Sequence, residues 1–264
     1  MTTALAQEAL YGPTPRKLGF SSQKTGRWGR YYVPRLPDGR RHWLLPDGEV
    51  TGPRYDYDRG AFTGDCGGHP WQSPWTPALT WHIASQIPGW CEPGQGRRLY
   101  ELAAAGAPLG ACVEVGAFKG LSSAWIGHGA RSAAPDARVY CLDTFTGGAG
   151  GRWKTDVKPE FDANMEYAGL AGTCTAVQGI FRDTLATWTA PVGFLYIDGE
   201  HSYAHCRADF EGWSRHCVPG ALIAFDDCIA DYPGILRFQR ELADSPRLEL
   251  LGRTDAMVCW RYRP

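Results

Sequence analysis

Residues 192–227 read VGFLYIDGEHSYAHCRADFEGWSRHCVPGALIAFDD. The opening VGFLYIDG (192–199) is an apolar run rich in branched and aromatic residues. It is too short for a helix of ordinary length and predicts a buried strand. HSYAHCRADFEGWSRHC (201–217) predicts a helix, closed by Pro219-Gly220. ALIAFDD (221–227) predicts a second buried strand. Strand, helix and strand in this order make a crossover unit, the building block of a parallel sheet covered on both faces.

The pattern extends outward in both directions. ACVEVGAF (111–118) and ARVYCLDTF (137–145) predict two earlier strands, separated by a helix over LSSAWIGHGARSA (121–133). A helix is expected at 97–107. TCTAVQGIF (173–181) predicts a further strand after a helix around 159–170. The tail predicts a helix at 233–244 and two last strands, RLELLG and AMVCWRYR. The fold class is α/β, with a mostly parallel sheet. In such sheets ligands bind beyond the carboxyl ends of the strands. That edge gathers residues 114–120, Asp143, residues 180–182, 198–201 and the Asp226-Asp227 pair.

Residues 1–95 differ. They are rich in Gly and Pro, hold six of the 11 tryptophans, and predict turns and short strands, with a short helix at 76–87. The expected division is an irregular appendage over 1–95 and a catalytic domain over 96–264. The 27 Lys/Arg against 28 Asp/Glu give a net charge of −1, which offers no general attraction to nucleic acid or anionic lipid. No run approaches the ~18 apolar residues of a membrane helix. Nine cysteines without CxxC spacing, and no apolar signal-type core near the start, predict reduced thiols and a cytoplasmic protein.

Asp198 directly follows a buried strand, and Asp226-Asp227 directly follow another. Adjacent acids at such positions repel unless a cation or proton compensates. Three carboxylates without a thiol make a hard, oxygen-rich site that suits Mg²⁺ or Mn²⁺ better than Zn²⁺. The competing reading has one aspartate capping a helix and the other facing solvent. His201, three residues beyond Asp198, has the right intrinsic basicity for a general base; His205 reads as a helix-surface residue. Asp143, ending the second strand, is either placed to accept hydrogen bonds from a ribose or serves as an N-cap or surface acid. Gly116 and Gly120 either admit a ligand or serve only the strand-to-helix turn. Their spacing, E-x-G-x-x-x-G from Glu114, is not the dinucleotide fingerprint.

On Glu114, Gly116, Gly120 and Asp143 the sequence resembles class I S-adenosylmethionine-dependent methyltransferases. DGEHSY, the Pro219-Gly220 turn, the acid pair and DTFTGG make it similar to the branch of macrocin-type sugar O-methyltransferases and cephalosporin-hydroxylase-like proteins. The resemblance spans about residues 88–262. It implies a Rossmann-like sheet with an antiparallel C-terminal strand. It also implies S-adenosyl-L-methionine bound by Glu114, Gly116, Gly120, Asp143, Phe181 and Asp198. The 179–181 backbone would serve adenine, and Glu114 the methionine end. A divalent cation on Asp198, Asp226 and Asp227, and His201 as the catalytic base, complete the implied site. The implied partner is a small-molecule acceptor, a sugar or glycosylated natural product; a homo-oligomer is left open. Two other readings remain at this stage: a non-catalytic cofactor-binding protein and an NAD-type oxidoreductase. Trp71, Trp75, Trp81 and Trp90 read either as sugar platforms or as apolar cover.

Overall fold

In the computed structural model, residues 77–147 and 156–264 are described, together with the backbones of four short strands before them. Those strands form two hairpins: β1 (Gln23–Gly26) with β2 (Gly29–Tyr32), and β3 (Arg54–Asp56) with β4 (Ala61–Thr63). The strand expected around 41–50, Trp71, Trp75 and the Gly-rich loop at 148–155 lie outside the described residues.

The domain is built on a seven-stranded sheet. Its strands are β5 (Ala111–Val115), β6 (Val139–Asp143), β7 (Cys174–Gln178), β8 (Val192–Ile197), β9 (Cys217–Phe225), β10 (Leu248–Thr254) and β11 (Met257–Tyr262). The spatial order is β10-β11-β9-β8-β5-β6-β7. All neighbouring pairs from β9 through β7 are parallel, while β11 runs antiparallel to both β9 and β10. The antiparallel C-terminal strand expected from the sequence is therefore present.

Helices cover both faces. On one side are α1 (Pro77–Ala84), α2 (Pro93–Gly106), α3 (Leu121–Ala133) and α4 (Lys158–Tyr167). On the other are α5 (Phe181–Leu185), α6 (Tyr203–Trp213) and α7 (Pro233–Ala243). The two-residue period of a strand sends alternate side chains to each layer. Along β8, Phe194 and Tyr196 join the first layer, while Leu195 and Ile197 join the second. No helix among the described residues is long and apolar enough to cross a membrane.

Three differences from the sequence reading have local causes. The third strand ends at Gln178, not 181, because Gly179 takes φ 144 and Phe181 opens a helix. The helix expected from 201 starts at Tyr203, with Ser202 as its cap accepting from the His205 N–H. His201 thus stands in the loop before it. The boundary at 95/96 falls inside α2, and Trp81, Ile83, Ala84 and Ile87 are buried in the same apolar cluster as Leu99, Trp125 and Phe194. Trp81 packs on Trp125, so it serves as apolar cover.

One buried titratable group ties this layer together. His128 of α3 lies 3.1 Å from the Thr80 hydroxyl through Nδ1 and 2.9 Å from the Ala168 carbonyl through Nε2. The carbonyl requires Nε2 to carry the proton, leaving Nδ1 to accept. Burial pushes its pKa down to about 3. The folded state thus resists a proton that the unfolded chain takes up near pH ~6.5, so stability is full above that pH and falls as the pH drops below it. From pH 7.5 to 5.5 this one group should remove about 1.4 kcal/mol. Urea denaturation of wild type and His128→Gln at both pH values measures it. The variant should be less stable at pH 7.5 and lose correspondingly less on acidification; equal losses would clear His128 of the effect.

Candidate functional site

Because β5, β6, β8 and β9 are parallel, their carboxyl ends share one edge. Strand order reverses between β5 and β8, which opens the crevice where such sheets bind ligands. The ladder continues one residue past each strand. Asp198 N–H donates to Val115 O at 2.8 Å, and Asp226 N–H to Ile197 O at 3.1 Å. Asp198 and Asp226 are thereby set side by side, with Gly116 beside Asp198.

Gly116 has φ 95, and a Cβ there would sit 2.1 Å from the Asp198 carbonyl oxygen. The glycine is required by the approach of two strands, whatever ligand also comes near. Gly120, at φ 91, begins α3, and a Cβ on it would meet the Met165 methyl at 2.6 Å.

Asp143 holds the turn together. Its Oδ2 accepts from the Phe118 N–H and its Oδ1 from the Phe145 N–H, each at 2.7 Å. Both phenylalanines are left-handed, with φ 46 and 57. Such backbone costs on the order of 1–3 kcal/mol per bulky residue and persists only where the surroundings enforce it. One carboxylate steadies both, and its remaining lone pairs are open to further donors such as ribose hydroxyls.

Glu114 is fully buried on β5. Its Oε2 accepts from the Ser123 hydroxyl, while Oε1 has no hydrogen-bond partner among the described residues. Burial raises its pKa to about 7; Ser122, Ser123 and Cys141 pull the other way, and Asp143 adds to the rise. A buried carboxyl oxygen without a donor is costly and marks a place for one, such as an ammonium group.

The acids at the ends of β8 and β9 crowd one another. Burial, then Asp226, Asp227 and Glu114, hold the Asp198 carboxyl far above the usual range. Asp226 is raised by burial and by Asp227, and is drawn back by the Asp227 N–H, Tyr196 and Gln95. Asp227 takes φ 51, and its Oδ2 lies 3.3 Å from His201 Nε2. Ligand atoms of Asp198, His201 and Asp227 all fall within 4.8 Å of one another. Two hard oxygens and an imidazole nitrogen at such spacing, among carboxyl groups that resist ionising together, fit a divalent cation.

Of the three expected aspartates, Asp198 and Asp227 converge with His201. Asp226, beside them, takes three protein donors: Gln95 Nε2 at 2.5 Å, the Asp227 N–H at 2.8 Å and the Tyr196 hydroxyl at 2.8 Å. The Tyr196 oxygen also lies 3.3 Å from Asp198 Oδ2. Tyr196 and Gln95 were not foreseen. Tyr196 reads as one more apolar residue of a strand, and Gln95 as one polar residue opening a helix. The signal for Gln95 was its place three residues after Glu92, where it completes a capping box.

Phe181 sends its side chain toward α6, near Gly212 and the second apolar layer. Only its backbone stands at the strand end, beside exposed Ile180. His205 is exposed and pairs with Glu200. Trp90 is 58% exposed and packs on Phe118, with ring centroids 5.2 Å apart, at the mouth of the glycine turn.

Residues 113–228 match a family model described as a methyltransferase domain. Solved structures of the same architecture include the cofactor-bound Rv0187 from MTB, 22% identical over 75% of this chain and 91% of that one, with a TM-score of 0.54. The O-methyltransferase from Bacillus cereus in complex with SAH is 20% identical over 70% and 90%, with a TM-score of 0.52. The O-methyltransferase TomG from Streptomyces achromogenes, involved in tomaymycin synthesis and solved with SAM, is 20% identical over 66% and 82%, also at 0.52. Residues 113–228 are thus similar to a methyltransferase domain, and the seven-stranded sheet shares the fold of these solved methyltransferases.

The Gly116 contact can be tested directly. Gly116→Ala should cost at least about 2 kcal/mol, or roughly 4–8 °C in Tm, through steric overlap and forced positive φ. Gly172→Ala is the control, since a Cβ there meets nothing within 4 Å. Equal Tm values for the two variants would show that β5 and β8 separate without penalty.

Proposed function

We propose that this methyltransferase domain moves a methyl group from S-adenosylmethionine to a hydroxyl of a small molecule, with a divalent cation held at Asp198 and Asp227. The observation that supports this reading best is the convergence of Asp198, His201 and Asp227 next to the glycine turn and Asp143. Both halves of a cation-assisted transferase thus share one sheet edge.

The cofactor residues have distinct tasks in this reading. Asp143 accepts from the ribose hydroxyls while keeping Phe118 and Phe145 in place. Glu114 offers its unpartnered Oε1 to the amino group of the methionine portion. Gly116 and Gly120 keep the turn low enough for backbone to approach, and the 179–181 backbone borders the adenine. Asp198 stands between the cofactor and cation positions. The sulfonium methyl is electrophilic when bound, so the protein must chiefly align an oxygen and take its proton.

His201 is the proton acceptor in this proposal. Its ring packs on Tyr232 with centroids 4.4 Å apart, which fixes its plane, and Asp227 borders Nε2. A divalent cation supplies charge that lowers the acceptor pKa and fixes its direction. Asp198 and Asp227 would hold it, with Asp226 completing the set as the resemblance implies. The grouping of His201 with the two aspartates supports a second, competing reading, in which it is a nitrogen ligand and not the base.

The acceptor class follows from the resemblance. A sugar or glycosylated natural product would face Trp90, whose exposed ring offers a stacking surface. The irregular first part of the chain, at least before residue 77, would serve as substrate cover or subunit contact, and the protein would work in the cytoplasm.

A panel of glycosides, aminoglycosides and phenols, assayed for methyl transfer with and without EDTA, tests this reading. Chelation should abolish turnover, and Mg²⁺ or Mn²⁺ should restore it. His201→Ala should lower kcat by about 10²–10⁴, the usual span for a lost general base, with cation affinity unchanged. A matching loss of cation affinity would make His201 a ligand. Full turnover in chelated protein would end the cation proposal.

A further inference from the structure

Gln95 is a residue of the helix α2 N-terminus that reaches across the fold to the acid cluster. It is 3% exposed. Its Oε1 accepts the Glu92 N–H at 2.9 Å, and its Nε2 donates to Asp226 Oδ1 at 2.5 Å. The two partners fix which end of the amide is which, because a flipped group would set oxygen against carboxylate and NH₂ against N–H. The backbone is anchored as well: the Gln95 N–H faces both the Glu92 carboxylate of the capping box and the Asp255 carboxylate, and the Asp255 carbonyl accepts from Arg253 Nε at 2.7 Å. A side chain held at its backbone and at its amide oxygen has its remaining N–H aimed in one direction, at Asp226.

Asp226 thus receives Gln95 and the Asp227 N–H on one oxygen and Tyr196 on the other. Donors on both oxygens fix the rotation of the carboxylate plane, and with it the direction of the lone pairs left over. Such outer partners usually set the affinity of a cation site almost as strongly as the ligands do. Resting on the reading of the acid cluster as a cation site, we infer that Gln95 is a positioning residue. Its side-chain amide orients Asp226, so that the α2 N-terminus and the β8–β9 edge form one cation-binding unit.

The test uses Mn²⁺ as probe and needs no acceptor. Mn²⁺ affinity is read from the free-ion electron paramagnetic resonance signal of the full chain. Gln95→Met keeps the shape and removes the donor, and should weaken Mn²⁺ about 10–100-fold, the usual effect of losing an outer partner. Affinity for S-adenosylhomocysteine without metal should stay within about twofold, since the hydrogen-bond partners of Gln95 (Glu92, Asp226 and Asp255) lie outside the glycine turn. Glu92→Ala separates helix capping from positioning: it breaks the side-chain half of the capping box, so it should lower Tm and leave Mn²⁺ affinity in place. Should Gln95→Met not fold, Gln95→Leu takes its place with the same expected loss. If wild type binds Mn²⁺ and the Gln95 variant binds it equally well, the positioning role is overturned and the cation site stands. If wild type itself binds none, both are overturned.

Discussion

Carboxyl groups of like charge meet at the ends of two neighbouring parallel strands, and the rest of the site is arranged around keeping them there. Asp198 and Asp226 are set side by side by the ladder itself, since each donates its N–H to the strand next door. Nothing in strand geometry favours this; burial and mutual repulsion both oppose ionising the acids. Donors have been brought in from elsewhere: Tyr196 from within β8, Gln95 from α2 and the Asp227 backbone from the turn. A cluster held at such cost at a ligand-binding edge is the usual mark of function over stability.

The sheet also explains where the glycine turn lies. β5 can lie against β8 at the crevice because Gly116 has no side chain to strike Asp198. The same turn then runs through Phe118, whose left-handed backbone is steadied by Asp143 from the next strand. One contiguous edge therefore carries the turn, Asp143 and the acid cluster. The alternation along the strands completes the arrangement, sending Glu114 and Tyr196 toward the α2 layer and Ile197 and Phe225 toward the other.

Much of this was legible in the sequence. Alternating apolar runs and helical segments give the sheet, because buried parallel strands have few ways to be polar. The acids were legible because they follow those runs directly. What was hidden depends on distance in sequence. Gln95 meets Asp226 across 131 positions, and no local pattern announces it. Tyr196 reads as core, and it is core, apart from one hydroxyl. The third strand was expected to run to 181 because an apolar stretch gives no sign of where a strand ends. The positive φ of Gly179 ends it earlier, and the Phe181 ring lies toward α6. His201 was read as a base by its spacing from Asp198; its approach to Asp227 depends on the left-handed turn at that residue.

The central claim is that the crowded acids are compensated by a divalent cation. Thermal unfolding of metal-stripped protein, with and without Mg²⁺, addresses it for wild type and for Asp227→Asn. Asparagine accepts the left-handed backbone of this position as readily as aspartate does, so the substitution changes charge with little strain. The account predicts that saturating Mg²⁺, at about 100 times its Kd, stabilises wild type by about 2.7 kcal/mol, or roughly 5–10 °C. Asp227→Asn should unfold no lower than wild type without metal, because a repulsion is gone, and should gain little from Mg²⁺. A wild-type Tm that ignores Mg²⁺, together with a metal-free variant less stable than wild type, would contradict the account.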